Sequence, residues 1–104
     1  MARYVFAVHS NPVAGREQEY NDWYSNRHLD DLLACSGVTA ARRLTLADQQ
    51  IREGPQPFNY LALYEIETDD PQNFFDELSS RIGTDQMPRS TALGEVSPVL
   101  WKVM

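Results

Sequence analysis

Cysteine and histidine are scarce in this chain: one cysteine, Cys35, and two histidines, His9 and His28, in 104 residues. A lone cysteine has no partner for an internal disulfide, a usage that fits a reducing cytoplasm. The few thiols and imidazoles fall at no H-x3-H or C-x2-C spacing, so no structural zinc site is expected. There is no G-x-G-x-x-G stretch and no P-loop, which argues against dinucleotides and ATP. There is no G-x-S-x-G elbow either. No cofactor is expected from these residues. No apolar run approaches the about 20 residues of a membrane span. The opening MARYVFAVHS holds too short an apolar stretch for a signal peptide and reads as a first strand. Positive charge is also thin: nine Lys and Arg against fifteen Asp and Glu, a net charge of −6. That balance disfavours nucleic acid and anionic membrane as partners. The length fits one domain over residues 1–104.

What is abundant is concentrated between Glu19 and Leu33, EYNDWYSNRHLDDLL. Tyr20, Tyr24 and His28 recur at i, i+4 and i+8 and share one helical face, with Trp23 and Arg27 beside them. Leu29, Leu32 and Leu33 fall on a different side. One straight helix would expose either the aromatics or the leucines. The pattern therefore predicts a break near His28–Leu29–Asp30, with Asp30 as N-cap of a short second turn. His28 would then end a helix, where the terminal carbonyls favour the protonated ring.

The remaining elements emerge from alternation and punctuation. Strands are expected at Arg3–His9, Val38–Leu46, Asn59–Glu67 and Val96–Met104. A first helix is expected from Ala14 to His28, with the short turn Asp30–Ala34 after it. A second helix starts at Asp69-Asp70-Pro71 and ends at Ile82, with Phe74, Leu78 and Ile82 as its buried stripe. Ala47–Pro57 is a polar loop, and Thr84–Glu95 is irregular. The order βαββαβ predicts an α+β, ferredoxin-like domain with a four-stranded antiparallel sheet and helices on one face. Both faces of every strand carry apolar groups, so the open face should be covered. A second copy of the chain is the expected cover, giving a homodimer with sheets packed face to face.

Three segments carry a family resemblance. They are Tyr20-Asn21-Asp22-Trp23-Tyr24, then His28-Leu29-Asp30-Asp31-Leu32-Leu33, then Gly37-Val38-Thr39-Ala40-Ala41-Arg42-Arg43. Together they resemble the EthD-like branch of the dimeric α/β-barrel superfamily, whose first helix commonly reads W-Y-x-x-x-H-L/I-P before a P-G-F/V turn into a strand. Asp30 stands where proline is common, and Ser36 where proline often precedes the glycine. Both replacements keep a helix-starting or turn-forming residue. The resemblance implies a dimeric α/β barrel. It leaves the reaction open, because this superfold hosts monooxygenases, isomerases, cyclases, decarboxylases and dehydratases, as well as proteins with no known reaction.

His28 occupies the histidine position of that motif. Its functional reading is a general acid or base, since imidazole exchanges a proton near neutrality. Its structural reading is a helix-end histidine bonded to terminal carbonyls. Tyr24, one turn earlier, could orient the imidazole or the substrate. Tyr20 and Trp23 could line the binding site or simply pack the helix. Asp31 would accept an imidazole N–H if the helix continued. Arg42 and Arg43 point to opposite faces of one strand; one of them, Arg43 for preference, would hold a developing oxyanion with Tyr24. Tyr60 and Tyr64 flank Ala62 and leave space between two phenols. Trp101 would form a barrel or pocket wall, and His9 matters only if it converges on His28. The expected activity is proton transfer by His28 on a small conjugated or aromatic-derived acid or enol. The alternatives are cofactor-free oxygenation of a phenol, a binding protein without chemistry, and a purely structural dimer.

Overall fold

A computed structural model describes residues Met1–Met104. The elements are β1 (Ala2–Pro12), α1 (Glu17–Trp23), a π turn (Tyr24–His28), α2 (Leu29–Leu33), β2 (Val38–Thr45), β3 (Tyr60–Thr68), α3 (Pro71–Arg81) and β4 (Leu93–Lys102). The strands form one sheet in the order β2-β3-β1-β4, and every neighbouring pair is antiparallel. This is the ferredoxin-like α+β arrangement that the element order predicts. No helix is long and apolar enough to cross a membrane.

Strand alternation sorts the side chains. Phe6, Val8 and Ser10 of β1 share the helix-covered face with Tyr60, Ala62, Tyr64 and Ile66 of β3. Phe6 meets Phe74 of α3 edge-on at 5.5 Å and Tyr64 at 6.1 Å. Burying each such ring stabilises the fold by about 1.5–3 kcal/mol. Val5, Ala7 and His9 point the other way, with Leu61, Leu63 and Glu65 opposite them. That second face has no helix. Trp101 there is 62% exposed, and Val99 and Leu44 are 40% exposed.

Local signals set the ends of elements. Asp70 caps α3, its Oδ1 accepting the Gln72 N–H at 3.0 Å, with Pro71 in the first turn. Gly37 turns the chain into β2 at φ +87°, and a Cβ there would meet the Glu67 carbonyl oxygen at 2.7 Å. Only glycine fits both the dihedral and the approach.

The predicted break at Asp30 does not occur. Trp23, Tyr24, His28 and Leu29 all keep right-handed helical dihedrals. The conflict between the aromatic and leucine stripes is resolved by widening instead. The Leu29 N–H bonds to the Tyr24 carbonyl, five residues back, which is the π-helical pattern. The extra residue in that turn rotates α2 about the helix axis, so Leu32 is buried and Leu29 packs on the core along with Tyr20 and Tyr24. Asp30 caps nothing. The helix also begins later than predicted, at Glu17, because β1 runs on to Pro12.

The stretch predicted as irregular, Thr84–Glu95, is irregular only up to β4, which starts at Leu93. It is well packed. Met87 and Ala92 are fully buried, and Met87 bridges back to Ile82. This segment forms one wall of the site.

Candidate functional site

A cavity of about 470 Å³ lies between the helical layer and the sheet, on the β1–β4 side. The π turn and its flanks supply Trp23, Tyr24, His28 and Leu32. The sheet supplies Phe6, Val8, Tyr64, Val96 and Pro98; α3 and its C-terminal end supply Leu78 and Ile82; the segment before β4 supplies Pro88, Arg89 and Ser90. The lining is mostly apolar, and no carboxylate belongs to it. The size falls within the usual range for small-molecule sites.

The π turn builds the centre of this site. Residues five apart in an α-helix are rotated by about 140° around the axis. The wider turn brings them nearly into line, so Trp23 stacks on His28 at 4.5 Å and 23°. The Trp23 indole N–H donates to the Pro88 carbonyl at 3.1 Å and ties the stack to the loop before β4. The Tyr24 ring also meets His28, edge-on, at 5.1 Å and 86°. The imidazole is held by two aromatic rings and its plane is fixed.

His28 Nδ1 is buried and has no hydrogen-bond partner. The Tyr64 hydroxyl is in the same condition, on a residue only 1% exposed. These are the two buried side-chain polar atoms left unpartnered in the fold, and both residues line this cavity. An unpaired buried polar group costs about 1–3 kcal/mol, so two of them on residues lining one cavity call for an explanation.

Burial governs the electrostatics. Desolvation pulls the His28 pKa down to about 4, with Asp31 opposing it. The ring is therefore neutral at pH 7, which corrects the expectation of a helix-end imidazolium: the helical run continues through His28 into α2. Asp31 does not bond to it. Arg27 holds the Asp31 carboxylate with its Nε at 3.0 and 3.1 Å and reaches on to the Asp85 carbonyl. Burial raises Tyr24 to about 12 and raises Tyr64 as well. Both phenols stay protonated, and their neighbouring hydroxyls act on each other.

The sequence-predicted residues divide three ways. His28, Tyr24, Trp23 and Tyr64 converge on the cavity. Tyr20 and Arg43 sit behind its wall. The Tyr20 hydroxyl pairs with Ser10 Oγ inside the core. Arg43 pairs with Ala62 across the β2–β3 ladder, and its guanidinium lies over the rings of Tyr24, Tyr20 and Tyr60 at 4.7, 5.2 and 5.5 Å. It donates to Asn21 Oδ1 and Ser25 Oγ. The space expected between Tyr60 and Tyr64 is thus occupied by Arg43, which does not line the cavity and cannot hold an oxyanion there. Arg42, Trp101 and His9 lie on the opposite face of the sheet. Their strand positions have the wrong parity for the site, so they do not join His28. His9 instead packs against Phe58 at 5.8 Å beside a second hollow of about 500 Å³ under the Gln56–Asn59 segment. That hollow contains no unpartnered buried polar atom.

Sequence reasoning missed Phe6, Val8 and the whole Pro88–Ser90 wall as site residues. Pro88 and Gly83 mark that stretch as non-helical. No local signal tells which of its side chains turn inward, because the stretch has no period.

No family model matches the sequence, and no curated protein matches it. Solved structures do match. The chain is similar to an ethyl tert-butyl ether (EthD) family protein from Bacillus halodurans C-125, with 15% identity and a TM-score of 0.63 over 100% of both chains. It is similar to a proposed monooxygenase from Shewanella loihica PV-4, with 15% identity and a TM-score of 0.62 over 100% of this chain and 97% of the other. An EthD-like protein from Ralstonia eutropha JMP134 gives 15% identity and a TM-score of 0.64 over 99% and 91%. Near-complete overlap at these TM-scores establishes the fold: the chain shares the ferredoxin-like fold of these EthD-like proteins.

Proposed function

We propose that the protein is an enzyme that moves a proton on a small conjugated or aromatic-derived acid or enol, with His28 as the proton-transfer group. The observation that carries this reading is that the two residues with an unpartnered buried polar atom, His28 at Nδ1 and Tyr64 at its hydroxyl, both line one apolar cavity. A neutral imidazole is the form that accepts a proton. A buried, protonated phenol is the form that donates a hydrogen bond. A substrate C–H or O–H next to a carbonyl would lose its proton to His28, and the electron pair would move onto the carbonyl oxygen facing Tyr64. With its pKa near 4, His28 is a weak base, so the step depends on stabilising the charges it creates. The imidazolium and the enolate form together, and each stabilises the other as an ion pair. Return of the proton to a different carbon completes an isomerisation; loss of a leaving group completes a lyase reaction. Tyr64 thus takes the oxyanion role that the sequence suggested for Tyr24 and Arg43, and Tyr24 keeps the imidazole plane fixed.

A second reading draws on the Shewanella neighbour, described as a proposed monooxygenase. The same base would deprotonate an electron-rich phenol, whose anion reacts with dioxygen far more readily than the phenol does. The two readings separate on one measurement, dioxygen uptake during turnover.

The assembly completes the proposal. The helix-free face of the sheet carries Trp101, Val99, Leu63, Leu44 and Val5, and an apolar face of this kind is normally covered. A second copy, sheet against sheet, would cover it. Light scattering should give twice the chain mass, and Trp101→Glu should give the single-chain mass.

The decisive experiment is a screen of aromatic acids, phenols and dienoates for turnover, with His28→Ala then tested on any active substrate. Loss of about 10²–10⁴-fold in kcat with the fold intact supports the assignment. Full activity in that variant removes His28 from the chemistry. Binding without turnover throughout the screen would favour a ligand-binding protein.

A further inference from the structure

The net charge of the chain is −6, yet the cavity is lined by no carboxylate and by one formal charge, that of Arg89. Arg89 is exposed while also lining the cavity, so it stands where the cavity meets solvent. Arg16, Arg27 and Arg81 each pair with an acidic side chain one helical turn away, and Arg43 is held by Asn21 and Ser25. Arg3, Arg42, Arg52 and Arg89 make no ion pair and donate no side-chain hydrogen bond, and of these four only Arg89 lines the cavity. Its side chain is nonetheless placed: the guanidinium lies across Gly83, where a Cβ would come 3.3 Å from Nε. Gly83 has φ +83°, a dihedral that favours glycine there. Next to Arg89, Ser90 Oγ accepts the Ala92 N–H at 3.1 Å and keeps its own proton free to donate.

The cavity is therefore polarised. Its inner part offers a neutral base and a neutral donor among aromatic and aliphatic walls. Its entrance offers a planar cation with unused donors. A guanidinium fork of this kind fits a carboxylate.

We infer that Arg89 docks a carboxylate of the ligand at the cavity entrance, so the substrate is a planar, largely apolar carboxylic acid whose oxygen-bearing end reaches His28 and Tyr64. This rests on the proton-transfer reading for the inner end and adds the specificity element at the outer end. The ester or amide of such an acid has the same apolar body but no charge for Arg89.

The test is a binding comparison that needs no turnover. Fluorescence titration would measure 6-hydroxy-2-naphthoate and its methyl ester on the wild type, Arg89→Gln and Arg89→Lys, with thermal melting to establish that each variant is folded. The wild type is expected to bind the acid at least about 10-fold more tightly than the ester. Arg89→Gln should lose that preference with ester affinity unchanged, and Arg89→Lys should keep part of it. Equal wild-type affinity for acid and ester overturns the inference, as does an acid preference that survives in Arg89→Gln. Failure of the wild type to bind either form overturns it together with the cavity reading. The His28 ring resonances, monitored by NMR in the same titration, separate the two proposals. If the acid binds through Arg89 but leaves those resonances unmoved, the docking role stands and proton transfer at His28 falls.

Discussion

Arg42 and Arg43 are neighbours in sequence, and the sheet sends them to different surroundings. Arg43 goes to the helix-covered face, where three tyrosine rings and two neutral hydrogen-bond acceptors surround its guanidinium. Arg42 goes to the open face and pairs across the ladder with Leu63. The same division separates the two histidines. His28 lies among aromatics with a depressed pKa, and His9 sits on the open face beside Phe58. Side-chain type alone does not make a site. A titratable group acquires unusual chemistry where packing strips its water and leaves it without a partner, and only the helix-covered face does that here.

Several substitutions would sharpen or break that contrast. The largest stability effect is expected at Phe74, buried against Phe6: Phe74→Ala should cost about 3–5 kcal/mol by chemical denaturation. On the open face, Val99→Ala should cost well under half of that at concentrations where the chain is a single copy. Equal losses on both faces would mean the open face is no less packed than the core.

His28 gives the next effect, through pH. Its folded pKa of about 4 lies below the ordinary 6.5, so between those values the unfolded chain binds a proton that the folded chain refuses. Stability from this group is complete above pH 6.5 and falls as the pH drops toward 4, by up to about 3 kcal/mol. His28→Leu removes this dependence. The variant should gain on the wild type by about that amount between about pH 7 and about pH 4 in urea titrations. A stability gap that stays constant with pH would show that the imidazole titrates normally.

Smaller effects separate the remaining pairs. Tyr20→Phe leaves Ser10 Oγ without its partner in the core and should cost about 1–2 kcal/mol. Arg43→Ala removes two hydrogen bonds and the cation–π contacts and should cost about 1–2 kcal/mol. Arg42→Ala should fall within about 0.5 kcal/mol of the wild type. A reversed order for the two arginines, measured in the same denaturant series, would overturn the assignment of faces.

Much of this architecture is legible in the sequence, because strands and caps are local. Alternation in Tyr60–Thr68, the Asp70-Pro71 start of α3 and the turn glycine Gly37 depend on a few adjacent residues, and the four-stranded arrangement is built from them. The aromatic run around His28 also marked where a cavity lies. Its geometry was not legible. Whether two stripes at odds on one helix are reconciled by a break or by a π turn depends on what each side chain meets across the sheet, and Trp23, Pro88 and Leu32 meet their partners only in the folded chain. The parity of β2 placed Arg42 and Arg43 on opposite faces but could not tell which face the helices would cover. Thr84–Ser90 has no period, so its inward-facing residues could not be read at all. By itself the sequence determined the elements, their order and the neighbourhood of His28, because these are set by short-range sterics and alternation. The tertiary structure alone decided that His28 is neutral, that Tyr64 rather than Arg43 shares its cavity, and that Arg89 stands at the entrance, because burial and missing partners are properties of distant segments brought together.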